Sequence, residues 1–77
     1  MNAIKPGDLV VIFKACFAQK INSDEFVWVD RSNDPQLVLW VASRCDPDTG
    51  EPEVGIILNL EKTKGVYVLP QNALVQA

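Results

Sequence analysis

Ile4-Lys5-Pro6-Gly7-Asp8-Leu9-Val10-Val11-Ile12-Phe13 decides the reading of this chain. Pro6 fixes φ at one turn position, and Gly7 accepts the positive φ that a tight turn requires at the next. The five apolar residues that follow include Val10, Val11 and Ile12, the β-branched composition that packs well on a pleated surface. The same grammar recurs along the chain. Phe26-Val27-Trp28-Val29, Leu37-Val38-Leu39-Trp40-Val41-Ala42, Val54-Gly55-Ile56-Ile57-Leu58-Asn59-Leu60 and Val66-Tyr67-Val68-Leu69 read as strands. Residues 30–35, 45–53 and 61–65 separate them as turn segments. Pro47-Asp48-Thr49-Gly50 suits a type I turn with the glycine in the left-handed position. Residues 19–25 are polar and read as a loop, although the first strand can run on through Lys14-Ala15-Cys16-Phe17. Pro70-Gln71-Asn72-Ala73 reads as one helical turn before a short last strand over 74–76. The apolar residues are consecutive or alternating, not spaced at three and four, which argues against helix throughout.

Short strands at regular spacing predict an all-β antiparallel sandwich or barrel. For a single domain of 77 residues, residues 1–77, a small barrel of five or six strands leaves the fewest open edges. No apolar run approaches the roughly 20 residues of a membrane-spanning helix, and the first residues lack the pattern of a secretory signal. The expectation is a soluble, cytoplasmic protein that makes no membrane contact. Seven basic residues against ten acidic ones give a net charge of −3. Lys5, Lys14, Lys20, Arg31, Arg44, Lys62 and Lys64 are scattered, whereas nucleic-acid binding relies on clustered cations that neutralise phosphates.

Catalytic chemistry finds few residues to carry it. The chain has no histidine, so the commonest general base and the usual triads are missing. Cys16 and Cys45 lack CxxC spacing and cannot build a Cys/His zinc site alone. They read as reduced thiols, or as a disulfide if their strands are neighbours. Asp46, Asp48, Glu51 and Glu53 cluster in one loop that superficially resembles a calcium site. Its glycine falls at the fifth position and Pro47 stiffens its start, so it reads as a solvated hairpin tip. The chain is therefore read as a non-enzyme with no cofactor and no metal. Phe13, Phe17, Phe26, Trp28, Trp40 and Tyr67 could form a stacking platform or a peptide groove. At least three of them read as core, and their strands carry almost no interleaved Lys or Arg.

The strongest functional signal is an excess of apolar side chains. Alternation would give each strand one apolar and one polar face. Four runs here are apolar on both, and one small barrel has only one interior. The surplus predicts that another copy of the chain or a partner protein covers an outer face, unless the long middle segment folds back over it. Val10, Ile12, Val27, Val29 and Ile57 are the candidate interface residues, and lysine at Val10, Ile12, Val27 or Ile57 is expected to change oligomeric state more than fold.

The Lys5-Pro6-Gly7-Asp8-Leu9-Val10 opening resembles the first strand of Src-homology-3-like (SH3-like) barrels, the KOW type included. Val54-Gly55-Ile56-Ile57-Leu58, Gly65-Val66-Tyr67-Val68-Leu69 and the stretch from Pro70 to Leu74 resemble the later strands and the one-turn helix before the last. The resemblance covers about half of the chain and implies an SH3-like barrel of the kind found in short phage proteins. It implies a structural, assembly or host-interaction accessory, located in the cytoplasm or the virion. A KOW-like nucleic-acid or ribosome-associated module is the alternative it implies. Residues 17–53 hold more strand material than a minimal barrel needs, which predicts an extra hairpin or a different topology.

Overall fold

A computed structural model describes residues 4–45, 50 and 52–77 of the chain, with residues 43–45 described by backbone alone. The opening turn closes where Pro6 and Gly7 require it. The Asp8 N–H donates to the Lys5 carbonyl over 3.1 Å, and Gly7 takes a φ of 91°, as the third residue of a type II turn does. Gly50 also takes a positive φ, 73°. Residues 46–49 and Glu51 lie outside the described residues, and with them most of the acidic loop.

Among the described residues seven strands follow one another: β1 (Leu9–Ile12), β2 (Cys16–Lys20), β3 (Phe26–Val29), β4 (Ser32–Cys45), β5 (Pro52–Asn59), β6 (Lys64–Pro70) and β7 (Leu74–Gln76). The expected helical turn is a 3-10 turn, Gln71–Ala73, between β6 and β7. The strands form one antiparallel sheet in the order β3-β2-β6-β5-β4-β1-β7. All-β architecture holds. The finer expectation differs in two respects: there are seven strands rather than five or six, and the sheet is open, with β3 and β7 at its edges.

Both differences come from the middle of the chain. Residues 16–29 form an extra hairpin, β2–β3, so Gln19 and Lys20 belong to a strand. Asn22 supplies a φ of 59° at its turn, a conformation that asparagine tolerates better than most residues. β4 begins at Ser32, inside a segment rich in turn formers. On β1 one residue lies between Val10 and Ile12, while on β4 three lie between their partners Gln36 and Ser32. The bulge absorbs Asn33, Asp34 and Pro35, and a bulge is where a strand tolerates proline's missing donor. Two more register shifts interrupt the β4–β5 ladder, between Val38 and Trp40 and between Val41 and Cys45.

Bulges bend a strand and raise its twist, and the core shows the result. Val10 and Ile12 from β1, Ala18 from β2, Val29 from β3, Val38 from β4, Val54, Ile56 and Leu58 from β5, Tyr67 and Leu69 from β6 and Leu74 from β7 belong to one buried cluster. Seven flat strands would span about 29 Å between edges, too far for Val29 and Leu74 to share it. The sheet therefore curls around a single interior. Among the described residues, Gln36 is the buried polar residue of that interior. Its Oε1 accepts the Asn59 N–H over 2.8 Å, and its Nε2 donates to the Asp34 carbonyl over 2.9 Å. Among the described residues, no buried side-chain nitrogen or oxygen lacks a partner.

Candidate protein-docking surface

Curling gives each strand an inner and an outer side, and the registers fix which residue takes which. On β1, Val10 and Ile12 point inward and are 0% and 1% exposed, while Leu9 points out. On β3, Val29 is 2% exposed, and Val27 is half-buried against the core. Four of the five residues expected at an interface are therefore on the inner side. This corrects the face assignment for Val10, Ile12, Val27 and Val29. Ile57 is exposed on the outer side. The registers pair the large outer residues directly. Leu9 faces Leu37, Leu37 faces Ile57 and Ile57 faces Val66. The Ile21 N–H donates to the Val66 carbonyl over 3.1 Å, adding exposed Ile21 to the end of this row.

A second row lies beside it. Phe26 faces Gln19, Gln19 faces Val68, Val68 faces Gly55 and Gly55 faces Trp40. Gly55 is buried although it lies on the outer side, because the Trp40 indole lies across it. A Cβ built on Gly55 would sit 2.2 Å from Trp40 Cε2. The register shift between Val38 and Trp40 is what turns this indole outward, so that neither Leu39 nor Trp40 joins the buried cluster. Where β2 meets β3, the rings of Phe17 and Trp28 meet edge to face with centroids 4.9 Å apart, a favoured aromatic geometry. Phe17, Phe26 and Trp28 are 60%, 62% and 56% exposed. The Trp28 Nε1–H donates to Asp30 Oδ1 over 3.1 Å.

The aromatics thus divide differently from the expectation of at least three in the core. Tyr67 is buried and Trp40 half-buried, while Phe13, Phe17, Phe26 and Trp28 are exposed. Sequence reasoning missed Leu9, Leu37, Phe17 and Trp28 as outward-facing residues. The available signal was β5, where Gly55 and Asn59 share the parity of Ile57 and so mark the outer side.

Asp8 accepts the Lys5 backbone N–H and the Gln76 side-chain amide, each over 2.9 Å. These two hydrogen bonds, with the Lys5 charge, hold its carboxyl below the usual carboxylate range against a small opposing effect of burial. Cys16 is a free thiol, so the disulfide with Cys45 is not formed. Burial raises the Cys16 pKa, and the nearby Lys14 charge only partly offsets this. Among the described residues, no three His, Cys, Asp or Glu side chains converge as metal ligands, and no helix is long and apolar enough to cross a membrane. No protein-family model, no curated protein and no solved structure matches this chain.

Proposed function

We propose that this chain is a non-enzymatic protein-docking module whose outer sheet face is covered in use by another protein. The row Leu9–Leu37–Ile57–Val66 carries the reading. Monomers rarely leave contiguous apolar surface of this kind open to water, and full burial of one such side chain is worth about 1.5–3 kcal/mol. We read the curled sheet as an SH3-like barrel. Supporting this are the run β6-β5-β4-β1-β7, the 3-10 turn before the last strand, and a hairpin, β2–β3, that accounts for the surplus strand material. On the same resemblance we assign the protein to the phage-type structural, assembly or host-interaction accessories, working in the cytoplasm or the virion. The nucleic-acid alternative draws less support: among the described residues, β2 and β3 present three exposed aromatics beside a single basic residue, Lys20.

The test is affinity capture from the native cell or virion with the wild type and with a Leu37→Lys/Ile57→Lys variant as baits. Both side chains are exposed, so the variant keeps its fold and its circular dichroism. The reading expects a protein that binds the wild type in stoichiometric amount and is lost from the variant. A partner held equally by both baits, or none held by either, overturns it.

A further inference from the structure

We infer that the free edge of β3 pairs antiparallel with the β3 of a second copy, with the two Trp28 residues directly opposed across the twofold axis. The inference rests on the reading of this chain as a protein-contact module and specifies a second copy as the partner at one edge.

The β2–β3 register shows which backbone groups are free to pair. The Lys20 N–H donates to the Glu25 carbonyl over 3.0 Å, so Glu25 points its backbone groups at β2. By the alternation of an antiparallel ladder, Val27 and Val29 do the same, while Phe26, Trp28 and Asp30 point theirs away. No described strand pairs with that side of β3. The strand Phe-Val-Trp-Val holds no lysine, no proline and no charge, the devices that normally blunt an open edge. The chain runs from Val29, opposite Cys16, through Asp30 and Arg31 to Ser32, opposite Ile12, and the inferred pairing extends over these two residues.

Parity and charge then choose the register. The outward groups of one copy must meet outward groups of the other, which admits, with the centre in β3, alignments centred on Phe26, Val27, Trp28 or Val29; the last sets Phe26 against Ser32, which already belongs to the β4–β1 ladder. An alignment centred on Val27 sets Asp24 against Asp30 of the second copy, an opposition of like charges. One centred on Phe26 leaves most of the strand without a partner. Centring on Trp28 joins three outward positions and sets Glu25 against Arg31 of the second copy at both ends. It also joins the two Phe17–Trp28 edge-to-face pairs into one four-ring cluster on the outer face. Symmetric closure of this kind makes a dimer rather than a fibre. The contact is smaller than the roughly 1,200–2,000 Å² of a stable interface, so the dimer is weak and depends on concentration.

Sedimentation equilibrium of the full chain tests this with Glu25→Arg, Arg31→Glu and the double exchange Glu25→Arg/Arg31→Glu. Glu25 and Arg31 are exposed, so all three variants fold. Each single reversal places like charges at both ends and should weaken the dimer about tenfold, and the double exchange should restore it. Amide exchange at Phe26 and Trp28 should slow as wild-type concentration rises. Four outcomes overturn the inference: a monomer at every concentration, a dimer unmoved by the single reversals, no restoration in the double exchange, or concentration-independent exchange at these two amides. A dimer abolished by Leu37→Lys but indifferent to the reversals likewise refutes the β3 pairing, while leaving the docking reading in place. That reading fails separately, in the capture experiment above.

Discussion

Replacing Gly55 by alanine probes the contact that shapes the outer face. Gly55 lies in ordinary strand geometry, so the substitution adds no backbone strain. Its cost is steric: the new Cβ would lie 2.2, 2.5 and 2.6 Å from Trp40 Cε2, Nε1 and Cδ2, where carbon atoms prefer about 3.5–4.0 Å. A rigid indole cannot yield locally and must swing off β5. If about 100 Å² of apolar contact is lost, at about 25 cal/mol per Å² the cost is about 2.5 kcal/mol, within the range of about 1–3 kcal/mol for overpacked sites. Alanine regains about 0.5–1 kcal/mol over glycine in a strand, leaving a net loss of about 2 kcal/mol. For a domain of this size that lowers Tm by about 8–15 °C. Urea unfolding of a double-mutant cycle with Trp40→Ala isolates the effect. In the Trp40→Ala background the clash is gone, and Gly55→Ala should be neutral or stabilising, giving a coupling of about 2.5 kcal/mol. An equal loss in both backgrounds would refute the indole contact as the cause.

Three further perturbations have definite outcomes. Lysine at Val10, Ile12 or Val29 should abolish cooperative unfolding by burying an unpaired charge, whereas lysine at Leu9 or Leu37 should shift urea midpoints little; circular dichroism separates the two groups. Gln36→Leu keeps the bulk but leaves the Asn59 N–H without its acceptor, and should cost about 1–3 kcal/mol in urea unfolding. The carboxyl of Asp8 is held below its ordinary value, so it stabilises the fold above its unfolded pKa, near 3.9. That contribution fades as pH falls through the folded value, so Asp8→Asn should flatten the acid limb of the stability profile below about pH 4 and lower stability near neutrality.

Much of the strand order was legible because the turns are written in glycine and proline. Pro6-Gly7 announced β1, Phe26–Val29 stood out by composition, and Pro70-Gln71-Asn72-Ala73 announced the 3-10 turn and β7. What failed was local chemistry overridden by tertiary pairing. Gln19 and Lys20 are polar, yet they lie in β2 because β6 pairs along that strand. Asn33, Asp34 and Pro35 look like a turn, yet β4 carries them as a bulge opposite β1. The faces were harder still. Asp8 and Lys14 share the parity of Val10 and Ile12, so polar flanks point the even positions outward, while the Asp8 hydrogen bonds to Lys5 and Gln76 satisfy that carboxylate at the margin. With both sides of β1 apolar, only the pairing with β4 and β7 decides that Val10 and Ile12 are inside. The surplus of apolar residues was legible in the chain; the side on which it emerges was not.

Site-specific photo-crosslinking inside the native cell or virion tests the covered outer face most directly. A photoreactive residue at Leu37 sits in the middle of the apolar row, and one at Lys62, between β5 and β6, sits on an exposed polar turn. The account predicts a discrete protein adduct from position 37 and none from position 62. No adduct at position 37, or the same adducts at both positions, would contradict it.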